Sequence, residues 1–251
     1  MLGVPGGVKM YSSVFARTPE AAAHILVDWA KGVVRAECYA EILDIDEEQY
    51  REGLLLVKIY AVSRTFCHKM LVGASKQPTQ LTADEEENMR GIARYFIEEY
   101  YKPCTLYILG PGTTVKTIAD QMGIDKTLLG VDVVHNKKLL AKDADEETLY
   151  NMVKRHREKG GEVRIVLTPI GGQGYILGRG NQQISPRVIR EAGGHKAIIV
   201  VATKSKLSRL HSLYVDTGDP NLDKEVEGYI RVIVDYREET VLRVLRGVET
   251  I

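Results

Sequence analysis

The chain has 251 residues, of which 44% are hydrophobic and 27% charged, and its 34 basic residues balance its 34 acidic residues. Such a chain can form one large domain or two small ones with a sizeable core. The charge balance argues against a dedicated nucleic-acid-binding protein, which usually carries a basic excess. No run of 18 apolar residues occurs, so no membrane helix is predicted.

The cysteines predict neither a disulfide framework nor a zinc site. Cys38, Cys67 and Cys104 are odd in number and widely spaced, which favours reduced thiols. No CxxC or HExxH spacing occurs, and the N-terminus lacks a signal-peptide pattern. We therefore expect a cytoplasmic protein with no metal site of its own.

Residues 1–78 predict a small strand-rich segment. Thr18 as N-cap and Pro19 at the first helical position predict a helix that Gly32 ends. Two runs that mix β-branched and polar residues predict a pair of strands, and a polar loop then predicts a boundary. The predicted strands are 33–44 and 54–64, and the boundary loop is 73–80.

Residues 79–251 predict an α/β domain, because strands and helices alternate along the chain. This order is typical of a mostly parallel sheet with crossover helices. The predicted helices cover 82–100, a short stretch after Gly112 that ends at Gly123, 145–159 and a segment from Pro186. The predicted strands are Thr105–Leu109, Leu128–Val134, Val163–Leu167, Ala197–Ala202 and Ser212–Asp216, with a hairpin over the last strands of the chain.

The most informative motif is a glycine-rich stretch that follows a predicted buried strand and precedes a helix. It holds five glycines in ten residues. Glycine lets a ligand approach the peptide N–H groups closely, arginine suits phosphate, and side-chain amides suit a base or a ribose. A flexible surface loop is the alternative. The predicted nucleotide- or phosphate-binding residues are Gly171, Gly172, Gln173, Gly174, Gly178, Arg179, Gly180, Asn181 and Gln182.

A second candidate is a Gly-Pro-Gly-Thr-Thr turn between a strand and a helix. Backbone N–H groups and hydroxyls at a helix start can hold a phosphate or carboxylate. A helix cap with tight packing is the alternative. The candidate residues are Gly110, Gly112, Thr113 and Thr114.

Charged residues near predicted strands supply the remaining candidates. Asp216 and Asp219 could bind Mg²⁺ or a ribose hydroxyl, or cap local N–H groups in a turn. Asp132 lies within an apolar strand, where a carboxylate must be paired or belong to a site. Lys204, with Lys206 close by, follows a strand at the end where ligands of open α/β sheets usually bind.

Six segments together resemble one known family, from Gly3 to about Tyr236. They read GVPGGVKMYSSVFARTPEAA, YILGPGTTVKTIAD, LLGVDVV, TPIGGQGYILGRGNQQISP, VVATKSKL and DTGD, in this order. The chain resembles the ATP-NAD kinase family, and specifically its branch related to the acetoin-catabolism protein AcoX. The resemblance implies phosphorylation of a nucleotide acceptor, with NAD accepting at its 2′-hydroxyl. It implies ATP or polyphosphate with Mg²⁺ as the donor.

The resemblance also locates two parts of the site. It implies that segment 168–181 contacts the nucleotide, and that Gly3–Ser13, with Lys9, borders a cleft between two lobes. Residues 1–78 would then be the remnant of an inter-lobe region.

The chain departs from the family in one motif. Family members carry Gly-Gly-Asp-Gly-Thr upstream, where it cradles the donor phosphates and supplies an acidic residue, and this sequence contains none. Leu2–Gly7 reads as the end of a strand entering a turn, so we expect further sequence upstream. We expect a C-terminal portion of a kinase that transfers phosphate slowly or not at all, and we assign no catalytic residue.

Two other interpretations stay open. The Gly-Thr-Thr turn, a mid-strand aspartate and a lysine-rich strand end also fit a phosphosugar-binding sensor or isomerase, with Asp132 as its base. A non-catalytic assembly module is the other possibility, with an apolar face at residues 1–15. In each case we expect a homo-oligomer that binds a small molecule and neither nucleic acid nor membrane.

Overall fold

The computed structural model describes residues 1–5, 12, 14–45, 57–68, 71, 83–170, 174–208, 210 and 212–247. The chain divides into two compact units, Met1–Leu81 and Thr82–Ile251. That residues 1–78 are a remnant of an inter-lobe region stays a prediction.

The first unit contains the predicted helix and the predicted pair of strands. Helix α1 (Pro19–Ala30) begins where Thr18 Oγ1 accepts a hydrogen bond from Ala21 N at 3.0 Å. Strands β1 (Cys38–Ile45) and β2 (Val57–Thr65) pair antiparallel. A small apolar cluster is formed by Ala16, Ala21, Ala22, Ile25, Phe66 and Leu71.

A disulfide joins Cys38 and Cys67, and Cys104 is free and exposed. The prediction of three reduced thiols is therefore wrong for two of them. Cys38 pairs with Thr65 across the strands, which brings Cys67, two residues further on, to a Cα–Cα distance of 5.3 Å. Strand pairing creates this proximity, and the spacing of the cysteines in the sequence does not reveal it.

The second unit contains nine strands and the helices between them. The strands are β3 (Leu106–Leu109), β4 (Asp132–His135), β5 (Lys138–Ala141), β6 (Val163–Leu167), β7 (Tyr175–Leu177), β8 (Ile198–Val201), β9 (Leu213–Val215), β10 (Gly228–Asp235) and β11 (Glu238–Arg246). The helices are α2 (Ala83–Tyr95, continued by a π-helical turn at Phe96–Tyr100), α3 (Thr113–Gln121), α4 (Glu146–Glu158), α5 (Pro186–Ala192, followed by a 3₁₀ turn at Gly194–Ala197), α6 (Lys204–Leu207) and α7 (Pro220–Val226).

The strands form one mostly parallel sheet in the order β5-β4-β3-β6-β8-β10-β11-β9-β7. Strands β3, β6, β8 and β10 run parallel to one another, and β11 turns back antiparallel to β10. Strands β9 and β7 run parallel to β11 and so point the opposite way to β3, β6 and β8. The predicted α/β class with a mostly parallel sheet and a smaller strand-rich N-terminal part is confirmed.

Helices cover both faces of this sheet. Side chains of β3 alternate between the two apolar cores, with Ile108 in one and Leu109 in the other. The first core contains residues of α4, α5 and α7, and the second contains residues of α2 and α3. This arrangement leaves the loops at the strand ends as the places where polar side chains gather. Among the described residues, no helix has the length and apolar character needed to cross a bilayer.

Candidate functional site

The candidate site lies at the carboxyl ends of β3, β6 and β8. Ligands of open α/β sheets bind outside the carboxyl ends of parallel strands. The segments that leave this edge are Gly110–Val115 after β3, Thr168 after β6 and Ala202–Lys206 after β8.

Helix α3 begins at this edge with an open first turn. Gly112 is its N-cap residue, with φ of 117°, and no side chain caps the helix. The N–H of Gly112 donates to Leu128 O at 2.9 Å, and the first intrahelical bond runs from Lys116 N to Gly112 O at 3.0 Å. The backbone N–H groups of residues 113–115 therefore have no intrahelical acceptor, as in any helix start. They are available to an anion, which the helix dipole favours there.

Close packing around Thr168 explains why the N-cap is glycine. A Cβ atom on residue 112 would lie 2.6 Å from Thr168 Cγ2. On residue 110, a Cβ atom would lie 2.9 Å from Leu167 Cδ2. The ends of β3 and β6 are thus in van der Waals contact, and only glycine fits between them.

Thr114, in the first turn of α3, carries a hydroxyl without a partner. The residue is 1% exposed, and its Oγ1 atom makes no hydrogen bond to any residue that the structure describes. A buried polar atom without a partner is costly and unusual in a folded protein. The neighbouring Thr113 is half-buried.

Lys206 reaches the same place from α6. Its Nζ donates to Thr168 Oγ1 at 3.2 Å. Although the side chain as a whole keeps some exposure, burial of the ammonium lowers the pKa of Lys206 to about 8, and the nearby Glu85 carboxylate opposes that shift. Thr203 Oγ1 donates to Glu85 Oε1 at 3.3 Å.

Lys204 lies at this edge but is engaged elsewhere. Its ammonium pairs with Asp235 at 3.0 Å and with Glu238 at 2.7 Å, and these hydrogen bonds raise the pKa of the exposed lysine. The predicted ligand contact of Lys204 stays a prediction, and the described geometry gives Lys204 a role in fastening the β10–β11 turn.

Asp132 is fully buried at the start of β4, beside the end of β3. Its carboxylate accepts hydrogen bonds from Thr127 N at 2.7 Å, Thr127 Oγ1 at 2.9 Å and Asp143 N at 2.7 Å. The ammonium of the buried Lys126 lies 4.0 Å away and donates to Thr127 O and Gly130 O. Asp132 therefore has the buried partners that its position requires, and its role as a ligand contact stays a prediction.

The glycine-rich stretch is described only in part. Gly171, Gly172 and Gln173 lie outside the described residues, and so does Lys9. Gly174, Gly178 and Gly180 all have positive φ. At Gly178 a Cβ atom would lie 1.6 Å from Asp216 O, so glycine is obligatory there.

Arg179 is buried against the ring of Tyr175. Its guanidinium carbon lies 4.0 Å from the ring centroid, and Nη2 lies 3.3 Å from Asp216 Oδ2. Its Nη1 is buried without a hydrogen-bond partner. Asn181 is fully buried and braces the turn, because its side chain bonds Gly178 N and Ile176 O. Gln182 is exposed.

The acidic turn after β9 is occupied by protein contacts. Asp219 caps α7 by accepting from Asn221 N at 3.0 Å and Leu222 N at 3.1 Å, and it pairs with Arg190 at 2.7 Å. Asp216 pairs with Arg179. This geometry fits a capping turn better than a Mg²⁺ site.

The structure separates the predicted site residues into two groups at opposite edges of the sheet. Strands β7 and β9 run against β3, β6 and β8, so their carboxyl ends lie at the other edge. The first group contains Gly110, Gly112, Thr113, Thr114, Asp132, Gly174 and Lys204, with Gly174 placed there because it precedes β7. The second contains Gly178, Arg179, Gly180, Asn181, Gln182, Asp216 and Asp219.

Sequence reasoning did not bring together three side chains of the first edge. It named Lys206 only as a neighbour of Lys204, included Thr168 only within segment 168–181, and gave Glu85 no role at a site. Glu85, Thr168 and Lys206 come from three separate segments, and the sequence does not show that they meet. The available signal for Lys206 was its place after a buried strand. Two lysines share that place, and the pattern does not show which one turns inward.

A sequence model of the ATP-NAD kinase C-terminal domain matches residues 105–244, more than half of the chain. The chain belongs to the ATP-NAD kinase family. It is an NAD kinase-like protein, and the matched region contains β3 to β10 and most of β11. Searches of curated proteins and of solved structures found no match.

Proposed function

We propose that this chain belongs to the AcoX-like branch of the family and binds a phosphorylated nucleotide at the carboxyl edge of β3, β6 and β8. The observation that carries the proposal is the open first turn of α3, which faces Thr168 with Lys206 beside it. Backbone N–H groups and an ammonium are the donors that phosphate binding needs.

The proposed reaction is phosphoryl transfer from ATP or polyphosphate, with Mg²⁺, to the 2′-hydroxyl of NAD. Catalysis of this kind depends on positioning and on neutralising charge. The N–H groups of α3 and the Lys206 ammonium, at the carboxyl edge, would supply part of the positioning and part of the charge neutralisation. Asp216 and Asp219 do not fit a protein-held Mg²⁺, since their carboxylates pair with Arg179 and Arg190. We therefore assign no step to a metal held by these residues.

We propose that the chain on its own transfers phosphate slowly. The Gly-Gly-Asp-Gly-Thr motif, by which relatives hold the donor phosphates, is absent from the sequence. Formation of NADP should be followed with the purified chain, NAD, Mg²⁺ and either ATP or polyphosphate. We expect turnover far below about 1 s⁻¹, the low end for kinases. Turnover near that value would contradict slow transfer, and the failure of every nucleotide to bind would contradict the proposal itself.

A phosphosugar ligand is the second candidate, because an open helix start serves a sugar phosphate equally well. The geometry does not support an isomerase that acts on such a sugar. Its candidate base, Asp132, is fully buried, and the carboxylate accepts three hydrogen bonds. Thermal-shift measurements separate the candidates. Ligand at 100 times its Kd adds about 2.7 kcal/mol of stability. Stabilisation by ribose or hexose phosphates without any by NAD or ATP would favour the sugar ligand.

Self-association and a cytoplasmic location stay predictions. Light scattering on the purified chain tests the first, and a monomer at all concentrations would contradict it. The disulfide between Cys38 and Cys67 weighs against the second, because cytosolic thiols are normally kept reduced.

A further inference from the structure

Two elements that carry hydrogen-bond donors, the start of α3 and Lys206, lie next to one residue, Thr168. Its methyl group packs against Gly112 at the start of α3, and its hydroxyl accepts from Lys206. A single small side chain thus lies next to both the start of a nine-residue helix and the Lys206 ammonium.

The unused donors belong to three different groups. A lysine ammonium has three N–H donors, and in the described part of the chain one hydrogen bond uses them, that to Thr168. The first turn of α3 offers the N–H groups of residues 113–115, which no side chain caps. Thr114 adds a buried hydroxyl with no partner. These donors would be costly to bury unless a ligand accepts from them.

We propose that this donor cluster, formed by Thr114, Thr168, Lys206 and the first turn of α3, is a binding site for a phosphate monoester. A monoester presents three terminal oxygens and close to two negative charges, which matches three sets of donors. A disubstituted phosphate, such as each of the two in the pyrophosphate of NAD, has two free oxygens and one negative charge. The 2′-phosphate of an NADP-type product, a sugar phosphate and inorganic phosphate all have the required group. The inference rests on the proposed function for the location of the site and adds the chemical class of the ligand.

The charged groups around Lys206 leave room for a bound anion to act on its ammonium. Glu85 of α2 is the carboxylate whose field acts on Lys206, and its own hydrogen bond comes from Thr203. Lys204 directs its ammonium away, to Asp235 and Glu238. A dianion bound at α3 would interact with Lys206 more strongly than one carboxylate does.

A binding titration with one lysine variant and one matched control tests the inference. Lys206→Met removes the ammonium, whereas Lys154→Met removes the same group from an exposed position on α4. The probes are inorganic phosphate, ribose 5-phosphate, NADP and NAD, titrated by calorimetry at pH 7. We expect Lys206→Met to weaken the binding of NADP, ribose 5-phosphate and inorganic phosphate by about 10- to 100-fold, the usual value of a charged hydrogen bond. NAD affinity should change less than twofold, and Lys154→Met should match the wild type.

The outcomes distinguish this inference from the proposed function. Binding of NADP with unchanged affinity in Lys206→Met would overturn the inference and leave nucleotide binding intact. Phosphate and ribose 5-phosphate that bind through Lys206, with neither NADP nor NAD binding, would support the inference and contradict the proposed function. Equal loss of NAD and NADP affinity would show that Lys206 does not select a monoester, which also overturns the inference.

A second pair of variants guards against misfolding of the lysine variant. Thr168→Ser keeps the hydroxyl, and Thr168→Val removes it at nearly constant volume. We expect the serine variant to retain NADP affinity within about threefold and the valine variant to lose about tenfold. The affinity should be highest between about pH 6, where a monoester loses its second proton, and pH 8, where Lys206 loses its own. An affinity that is flat from pH 5 to 9.5 would contradict a dianion held by this ammonium.

Discussion

Two lysines of the second unit each have a pKa lowered to about 8 by burial, yet Lys126 is fully buried, Lys206 is half-buried, and their surroundings differ. Lys126 donates to Thr127 O and Gly130 O and faces Asp132 at 4.0 Å. Lys206 donates to Thr168 Oγ1 and senses Glu85. A buried charge whose donors are used holds a loop together. Lys206 has unused donors next to an open helix start, which is the environment of the binding site that we propose.

The largest expected effect is the loss of stability when Lys126 becomes methionine. Removing one member of a buried pair leaves the other charge uncompensated, so we expect Lys126→Met to lower the free energy of unfolding by about 4 kcal/mol. Lys206→Met should change it by less than about 1 kcal/mol, since it leaves no buried partner charge behind. Urea unfolding of both variants measures the difference. Equal losses would contradict the distinction between the two lysines.

The glycine-rich turn after β7 resembles the Lys126 loop in that side chains of the turn bond to the protein: Asn181 bonds Gly178 N and Ile176 O, and Arg179 pairs with Asp216. Gly178→Ala places a Cβ atom against Asp216 O in a residue with positive φ. We expect a loss of about 3 kcal/mol. Gly160→Ala is the control, because it has the same sign of φ and open space around it, and it should cost about 1 kcal/mol. Similar losses of unfolding free energy in the two variants would show that the turn around Gly178 can relax.

The change of the unfolding free energy with pH should differ between Lys126 and Lys206 once phosphate is bound. Each lysine has a folded pKa near 8, below its value of 10.5 in the unfolded chain. The unfolded chain therefore binds more protons between pH 8 and 10.5, and the free energy of unfolding rises with pH there, by up to about 1.4 kcal/mol per pH unit for each lysine. Lys206→Met and Lys126→Met should each remove one such slope.

Saturating phosphate should raise the pKa of Lys206 and remove its slope while leaving that of Lys126. Urea unfolding between pH 8 and 10 with and without phosphate measures this. The same slope under both conditions would place the bound phosphate away from Lys206.

The smallest effect concerns Thr114. Thr114→Val removes a buried hydroxyl without a partner at nearly constant volume, so we expect the free protein to gain about 1 kcal/mol. The same change should weaken phosphate binding. A loss of stability would mean that the hydroxyl already has an acceptor in the free protein.

Much of the sheet could be predicted from sequence because its strands are short apolar runs between helix signals. Val163–Leu167 was predicted with the bounds that β6 has. The hairpin of β4 and β5 was missed, although Asn136 and Lys137, both with positive φ, form its two-residue turn. That turn carries Asn without the Gly that usually signals it. Strand β7 was missed because its three apolar residues lie within a glycine-rich segment.

The site could be predicted only in part, because it depends on the order and direction of the strands. The apolar sequence around Asp132 predicts that its carboxylate has a partner. It does not predict that this partner is Lys126. Lys204 and Lys206 are two residues apart in sequence, and the fold alone decides that one pairs with Asp235 and Glu238 at the surface while the other reaches Thr168. The antiparallel direction of β7 and β9 likewise places Arg179 at the opposite edge from Thr113.

The most direct measurement is the change of backbone amide chemical shifts on adding NADP to the ¹⁵N-labelled protein. We predict that the amides of Thr113, Thr114 and Val115 shift most, and that Lys206→Met abolishes these shifts. The amides of residues 178–182, at the opposite edge of the sheet, should stay nearly unchanged. Shifts confined to Gly178–Gln182, with α3 unaffected, would contradict a phosphate site at the carboxyl edge of β3, β6 and β8.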